Sequence, residues 1–138
     1  MLNADDRLEI NETLALHAHI FDGNQLDRLG ELFTPDAVYD MGPVGIGAFE
    51  GIDAIRAAAA QMTESGHAPL AHYVTNIVIT SSHDDAATAK SKGLMIMGNG
   101  AFEGVTHDDT LRRHNGNWRI SRRIITPARP ATGGGDSH

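Results

Sequence analysis

The chain has no cysteine, no apolar run long enough to span a bilayer, no internal repeat and no excess of positive charge. Without cysteine there is no disulfide framework and no thiolate metal site, which fits a reducing compartment. The lack of a long apolar run excludes a membrane-spanning helix. A formal net charge of −7 speaks against nucleic acid or an anionic membrane as partner. The one basic cluster, Arg119 with Arg122 and Arg123, lies in an alternating strand pattern that spreads it over two faces. The opening "MLNADDRLEI" is charged and lacks a signal-peptide core. The expectation is a cytoplasmic protein whose partner is a small molecule.

What is present is enough for one domain. A chain of 138 residues can bury roughly two-thirds of its unfolded surface around a single core. From Ala4 to Phe21, the residues Ile10, Leu14, Ala18 and Phe21 recur at helical spacing, with His17 on the same stripe. Asp22 and Gly23 follow at once. Leu26, Leu29 and Phe33 predict a shorter second helix, stopped by "TPD" at 34–36. "AVYDM" reads as a strand and the glycine-rich stretch after it as a turn or irregular hairpin. A third helix is predicted over 52–64 from Ile52, Ile55, Ala59 and Met62, helped by four consecutive alanines. Strands are predicted over 70–80, 86–98, 101–113 and 117–126. "HNGN" at 114–117 joins the last two, because Asn-Gly accepts positive φ at little cost. Helices followed by consecutive antiparallel strands imply an α+β layer fold. The domain runs over 1–127, with a flexible tail, "ATGGGDSH", within 128–138.

Polar groups in apolar stretches are the functional signal, since burying them unpaired is costly. His17 lies on a core stripe and His72 opens the strand "AHYVTNIVIT". Strict alternation places His72, Val74, Asn76 and Val78 on one face, and Tyr73, Thr75, Ile77 and Ile79 on the other. Each histidine could simply bond a backbone carbonyl. Asp22 could equally serve the backbone donors of the next helix. In combination, a helix-end aspartate and a strand histidine are the parts of a general-base dyad: the carboxylate fixes the imidazole tautomer and stabilises the imidazolium.

"LHAHIFDGNQLDRLGELFTPDAVYDMG", "AHYVTN" and "THDDTLRRHNGNWRISRR" resemble, in order, the SnoaL-like branch of the nuclear transport factor 2-like superfamily. Within it the pattern is most similar to scytalone dehydratases and the hexachlorocyclohexane dehydrochlorinase, which are cofactor-free lyases. The resemblance implies a cone: a strongly curved sheet wrapped round N-terminal helices, with an internal pocket. It also implies Asp22 and His72 as the supporting acid and the base, and no cofactor. His17 and either Tyr39 or Asp40 take the place of the dehydratase's carbonyl-polarising tyrosines. Met95 and Met97 form an apolar wall where that enzyme has a second histidine. The dehydrochlorinase's late arginine aligns with Thr126, and Arg123 is close by but out of register.

In "THDDTL", His107 and Asp109 share a face with Leu111. That face points inward in one register and outward in the other, and the resemblance favours inward. Asp109 then becomes the acid/base group if the chemistry is an aldol-type cyclisation. Trp118 and Phe102 can add aromatic pocket surface, although a tryptophan after a hairpin is more often core. A metal triad of His72, His107 and a carboxylate can be drawn, but no local ligand spacing calls for iron or zinc. His67, His83 and His114 fall in turns. The expected activity is elimination of water from an apolar cyclic or polyketide-like molecule. Isomerisation or cyclisation comes second, and a non-enzymatic binding module is the competing class. Apolar residues on the sheet's other face suggest a homodimer or homotrimer packed through it.

Overall fold

The computed structural model describes residues 1–128; the expected tail falls outside them except for its first residue. Helix α1 (Ala4–Asp22) starts from a reciprocal cap. The Asn3 side chain accepts the Asp6 backbone N–H at 2.8 Å, and the Asp6 carboxylate accepts that of Asn3 at 3.0 Å. The helix buries Ile10, Thr13, Leu14, His17 and Ile20 along one face. The second helix is shorter than expected, a 3₁₀ helix at Leu26–Glu31. Phe33 instead begins strand β1 (Phe33–Met41), where it pairs with Ile120. A six-residue stretch containing Gly30 has little helical stability of its own, and Phe33 is better buried in the sheet.

Strand β2 (Gly47–Glu50) and helix α2 (Ile52–Glu64) follow, then β3 (Ala71–His83), β4 (Ala86–Ile96), β5 (Phe102–His114) and β6 (Asn117–Pro127). Among the described residues the six strands form one sheet in the order β2-β1-β6-β5-β4-β3. The β1–β6 pair is parallel and the rest are antiparallel. The β5–β6 turn is the expected Asn-Gly hairpin, with φ of 53° at Asn115 and 84° at Gly116. This is the α+β cone of the resemblance: a curved, unclosed mixed sheet around the N-terminal helices.

Bulges supply the curvature and also upset the alternation read from the sequence. In β3 the register slips between Thr75 and Val78, where Asn76 takes a φ of 55°. His72 and Val74 face in before the slip; Ile77 and Ile79 face in after it, and Val78 faces out. The outer face therefore presents Tyr73, Val78 and Leu94, without the two isoleucines. In β6 the register slips around Ser121. Trp118 and Ile120 are buried before it, Arg123 and Ile125 after it.

At one end of the cone the sheet closes on the first half of α1. Trp118, Leu111, Ile120, Ile10 and Leu14 are fully buried there. Asp6 ties this end together, accepting from Trp118 Nε1 at 3.1 Å and from the Arg113 guanidinium, which stacks on the Trp118 ring. Toward the other end, where Asp22 at the close of α1 meets the start of β3, a cavity remains between helix and sheet.

Candidate active site

The cavity lies between the second half of α1 and the inner face of the sheet, and its main lobe has a volume of about 200 Å³. The end of α1 delivers Asp22 and the start of β3 delivers His72, 50 residues apart in sequence. One Asp22 oxygen accepts the His72 backbone N–H at 2.9 Å, while the other lies 2.5 Å from His72 Nδ1. A carboxylate can only accept, so Nδ1 carries the proton and Nε2 is left as the free acceptor on a ring that lines the cavity. The pair sits at the rim, with side-chain exposures of 25% for Asp22 and 22% for His72.

Deeper in, His17 Nε2 lies 2.8 Å from the Tyr39 hydroxyl. The His17 ring stacks on Phe21 at 4.2 Å and meets His72 edge-on at 5.8 Å. Burial holds the His17 pKa well below the ordinary histidine value, and the charge of Arg123 pushes the same way. Burial pushes the Tyr39 hydroxyl up to about 12, helped by Asp109 and opposed by Arg123. Both partners are therefore neutral at working pH.

His107 also faces in, so β5 has the inward register. Its Nδ1 lies 3.1 Å from the Ser91 hydroxyl. Burial lowers its pKa to about 2, with Arg123 and then His72 adding to the effect. Gly93 makes room for this ring: a Cβ there would stand 2.7 Å from His107 Cε1 and 2.8 Å from Val105 Cγ2. A glycine inside an otherwise alternating strand is a sequence sign of such close approach.

Arg123 is the residue that sequence spacing does not reveal: alternation from Trp118 and Ile120 turns it outward, and the bulge at Ser121 turns it into the cavity lining. Its Nε donates to Asp109 Oδ1 at 2.7 Å and its Nη2 to Oδ2 at 2.9 Å. The side chains are 1% and 0% exposed. Burial works against the arginine charge, but Asp109 reverses the balance and leaves its pKa above the ordinary value.

Met95 and Met97 line the cavity as an apolar wall, joined by Met41 and Met62. His67, read as a turn residue, is exposed at its mouth. Of the two alternatives on β1, Tyr39 takes the inward position and Asp40 is turned out of the cavity, its side chain accepting the Gly42 N–H at 2.9 Å. Two expectations need correction. Trp118 belongs to the closed end of the cone, bonded to Asp6, and does not line the cavity. Phe102 is exposed. Among the described residues no three His, Cys, Asp or Glu side chains gather as metal ligands, so the triad drawn through His72 and His107 is not assembled. No helix there is long and apolar enough to cross a membrane.

The SnoaL-like domain family matches residues 3–124. An uncharacterized protein of Mycobacterium tuberculosis is 30% identical over 129 residues, spanning 88% of this chain and 84% of its own. An NTF2-like protein with a cystatin-like fold from Novosphingobium aromaticivorans superposes with a TM-score of 0.79 at 27% identity, over 94% of this chain and 86% of that one. LinA, a dehydrochlorinase, superposes with a TM-score of 0.68 at 21% identity, over 91% and 92% of the two chains, a likeness of fold.

Proposed function

The chain belongs to the SnoaL-like domain family, and from that premise we propose that it is a cofactor-independent lyase acting on a small, largely apolar cyclic molecule. The observation that carries the reading is the 2.5 Å contact between Asp22 and the His72 ring at the edge of a sheltered cavity. In a binding module the same contact would serve only to hold the ring and present Nε2 as a fixed acceptor. A general base uses it further, because the same carboxylate balances the imidazolium. LinA offers an elimination as the precedent for this fold, by analogy.

The step proceeds as follows for a β-hydroxy ketone. His72 Nε2 takes a proton from the carbon beside the carbonyl, and the electron pair forms the new C=C bond as the C–O bond breaks. The departing oxygen takes the proton back from His72 and leaves as water, so the imidazole ends as it began. His17, Tyr39 and neutral His107 hold the carbonyl and hydroxyl. Met95 and Met97 cover the apolar part of the ring and exclude water. A cyclase using Asp109 as its acid/base group fits less well, because Arg123 takes both carboxylate oxygens in a site closed to solvent.

The test is a panel of cyclic β-hydroxy ketones, followed by enone absorbance, with wild type, His72→Gln and Asp22→Asn. A positioned base contributes about 10²- to 10⁴-fold in rate. Both variants should fall by at least the lower figure while the wild-type substrate still binds. A His72→Gln protein that turns over its substrate at the wild-type rate refutes the assignment.

A further inference from the structure

A second chamber of about 80 Å³ adjoins the main lobe and shares part of its lining. It lies between the end of α1, helix α2 and strands β1 and β2, and Tyr39, Met41, Met62, Pro69 and His72 line both chambers. The imidazole of His72 therefore stands at the junction. The two chambers differ in chemistry. The main lobe carries His17, His107 and Arg123. Apart from the shared Tyr39 and His72, the second chamber has Thr63 as its one polar side chain.

The composition of α2 accounts for this space. On the buried stripe of α2, Ile55 gives way to Ala58 and Ala59 before Met62 restores bulk. Those two small side chains keep the chamber open. Its volume matches two to three non-hydrogen atoms, on the scale where a water occupies about 30 Å³ of liquid.

We infer that the second chamber is a subsite for a short apolar substituent, of two or three carbons, carried on the substrate ring next to the carbon that His72 addresses. The inference rests on reading the main lobe as the substrate site and narrows the substrate class: a ring with its polar groups toward His17 and His107 and a short alkyl arm toward Ala58 and Ala59. The junction position of His72 places the arm on, or beside, the reacting carbon.

The probes are cyclohexanone, 2-methylcyclohexanone and 2-propylcyclohexanone, with binding measured by calorimetry or ligand-observed NMR on the wild-type protein. Each buried methylene is worth about a fourfold gain, so the propyl compound should bind at least tenfold tighter than the parent ring. Ala59→Leu fills the chamber and should cancel that gain while leaving cyclohexanone affinity as it was. Thermal unfolding verifies that the variant is folded. Equal affinity along the series, no binding by any member, or an undiminished propyl gain in folded Ala59→Leu overturns the subsite. Affinity that climbs with the arm, in a protein that dehydrates none of the hydroxy ketones, keeps the subsite and removes the lyase.

Discussion

Replacing Asp109 by asparagine changes almost nothing in shape, yet it should be among the most damaging single substitutions in the protein. Asp109 and Arg123 are 0% and 1% exposed and joined by two parallel hydrogen bonds of 2.7 and 2.9 Å. Asparagine keeps one acceptor and turns an amide N–H toward a guanidinium that has only donors, leaving a buried cation without a counter-charge. Removing one partner of a buried pair costs about 3–5 kcal/mol. Domains of this kind have roughly 5–15 kcal/mol in total. With a melting shift of roughly 3–4 °C per kcal/mol for a chain of intermediate length, Asp109→Asn should lower Tm by roughly 10–20 °C. The double replacement Asp109→Leu with Arg123→Met removes both charges together. It should be neutral, or more stable by as much as about 4 kcal/mol, because the desolvation penalty disappears with the attraction. Urea unfolding at constant m-value measures both. If Asp109→Asn costs less than about 1 kcal/mol, or the double variant loses as much as the single, the pair is not a desolvated ion pair.

Two further expectations concern histidines and backbone. His17 and His107 stay neutral in the fold, His107 down to about 2, whereas in the unfolded chain they protonate near 6.5. Below that pH the unfolded state binds two protons that the native state refuses. Stability should therefore be flat in these groups above pH 6.5 and fall as pH drops, their share approaching about 2.7 kcal/mol per unit; His107→Gln should reduce the slope measured between pH 6.5 and 5 by up to about 1.4 kcal/mol per unit, and an unchanged slope would count against a neutral His107. Asn76 sits at φ 55° in the β3 bulge, a conformation costing other L-residues roughly 1–2 kcal/mol. Asn76→Gly should be tolerated and Asn76→Val destabilising by that amount in chemical denaturation, and a neutral valine would mean that the bulge is not fixed.

The fold was legible where a local rule decides the outcome. The stripe of Ile10, Leu14 and His17 gave α1, and Asn115-Gly116 gave its hairpin. Asp22 and His72 could be named as a pair because one closes a helix and the other opens a strand, and the family resemblance brought them together. What failed was phase. A strand rule of period two puts Arg122 inside with Trp118 and Ile120, but the extra residue at Ser121 turns Arg123 in instead. The same happened to Ile77 and Ile79 beyond Asn76. An asparagine within a β-branched run was the available sign of a left-handed residue. Trp118 shows a different limit: alternation reports that a side chain is buried, but not at which end of a cone it lies. Alternation makes Tyr39 and Asp40 exclusive alternatives, and only the register against β2 and β6 chooses between them.

Helix α1 is bolted down at both extremities by acids. Asp6 grips Arg113 and Trp118, and Asp22 grips His72 about 24 Å further along the axis. A strut fixed at two such distant points cannot tilt or slide without breaking one anchorage, so this wall stays put while a guest enters. Breathing of the chamber is expected from the opposite side, where α2 is held by the Arg56 side chain on the Leu26 carbonyl, the Gly51 N–H on the Ala37 carbonyl and side-chain packing. Amide exchange should accordingly be slower along the strut than across α2.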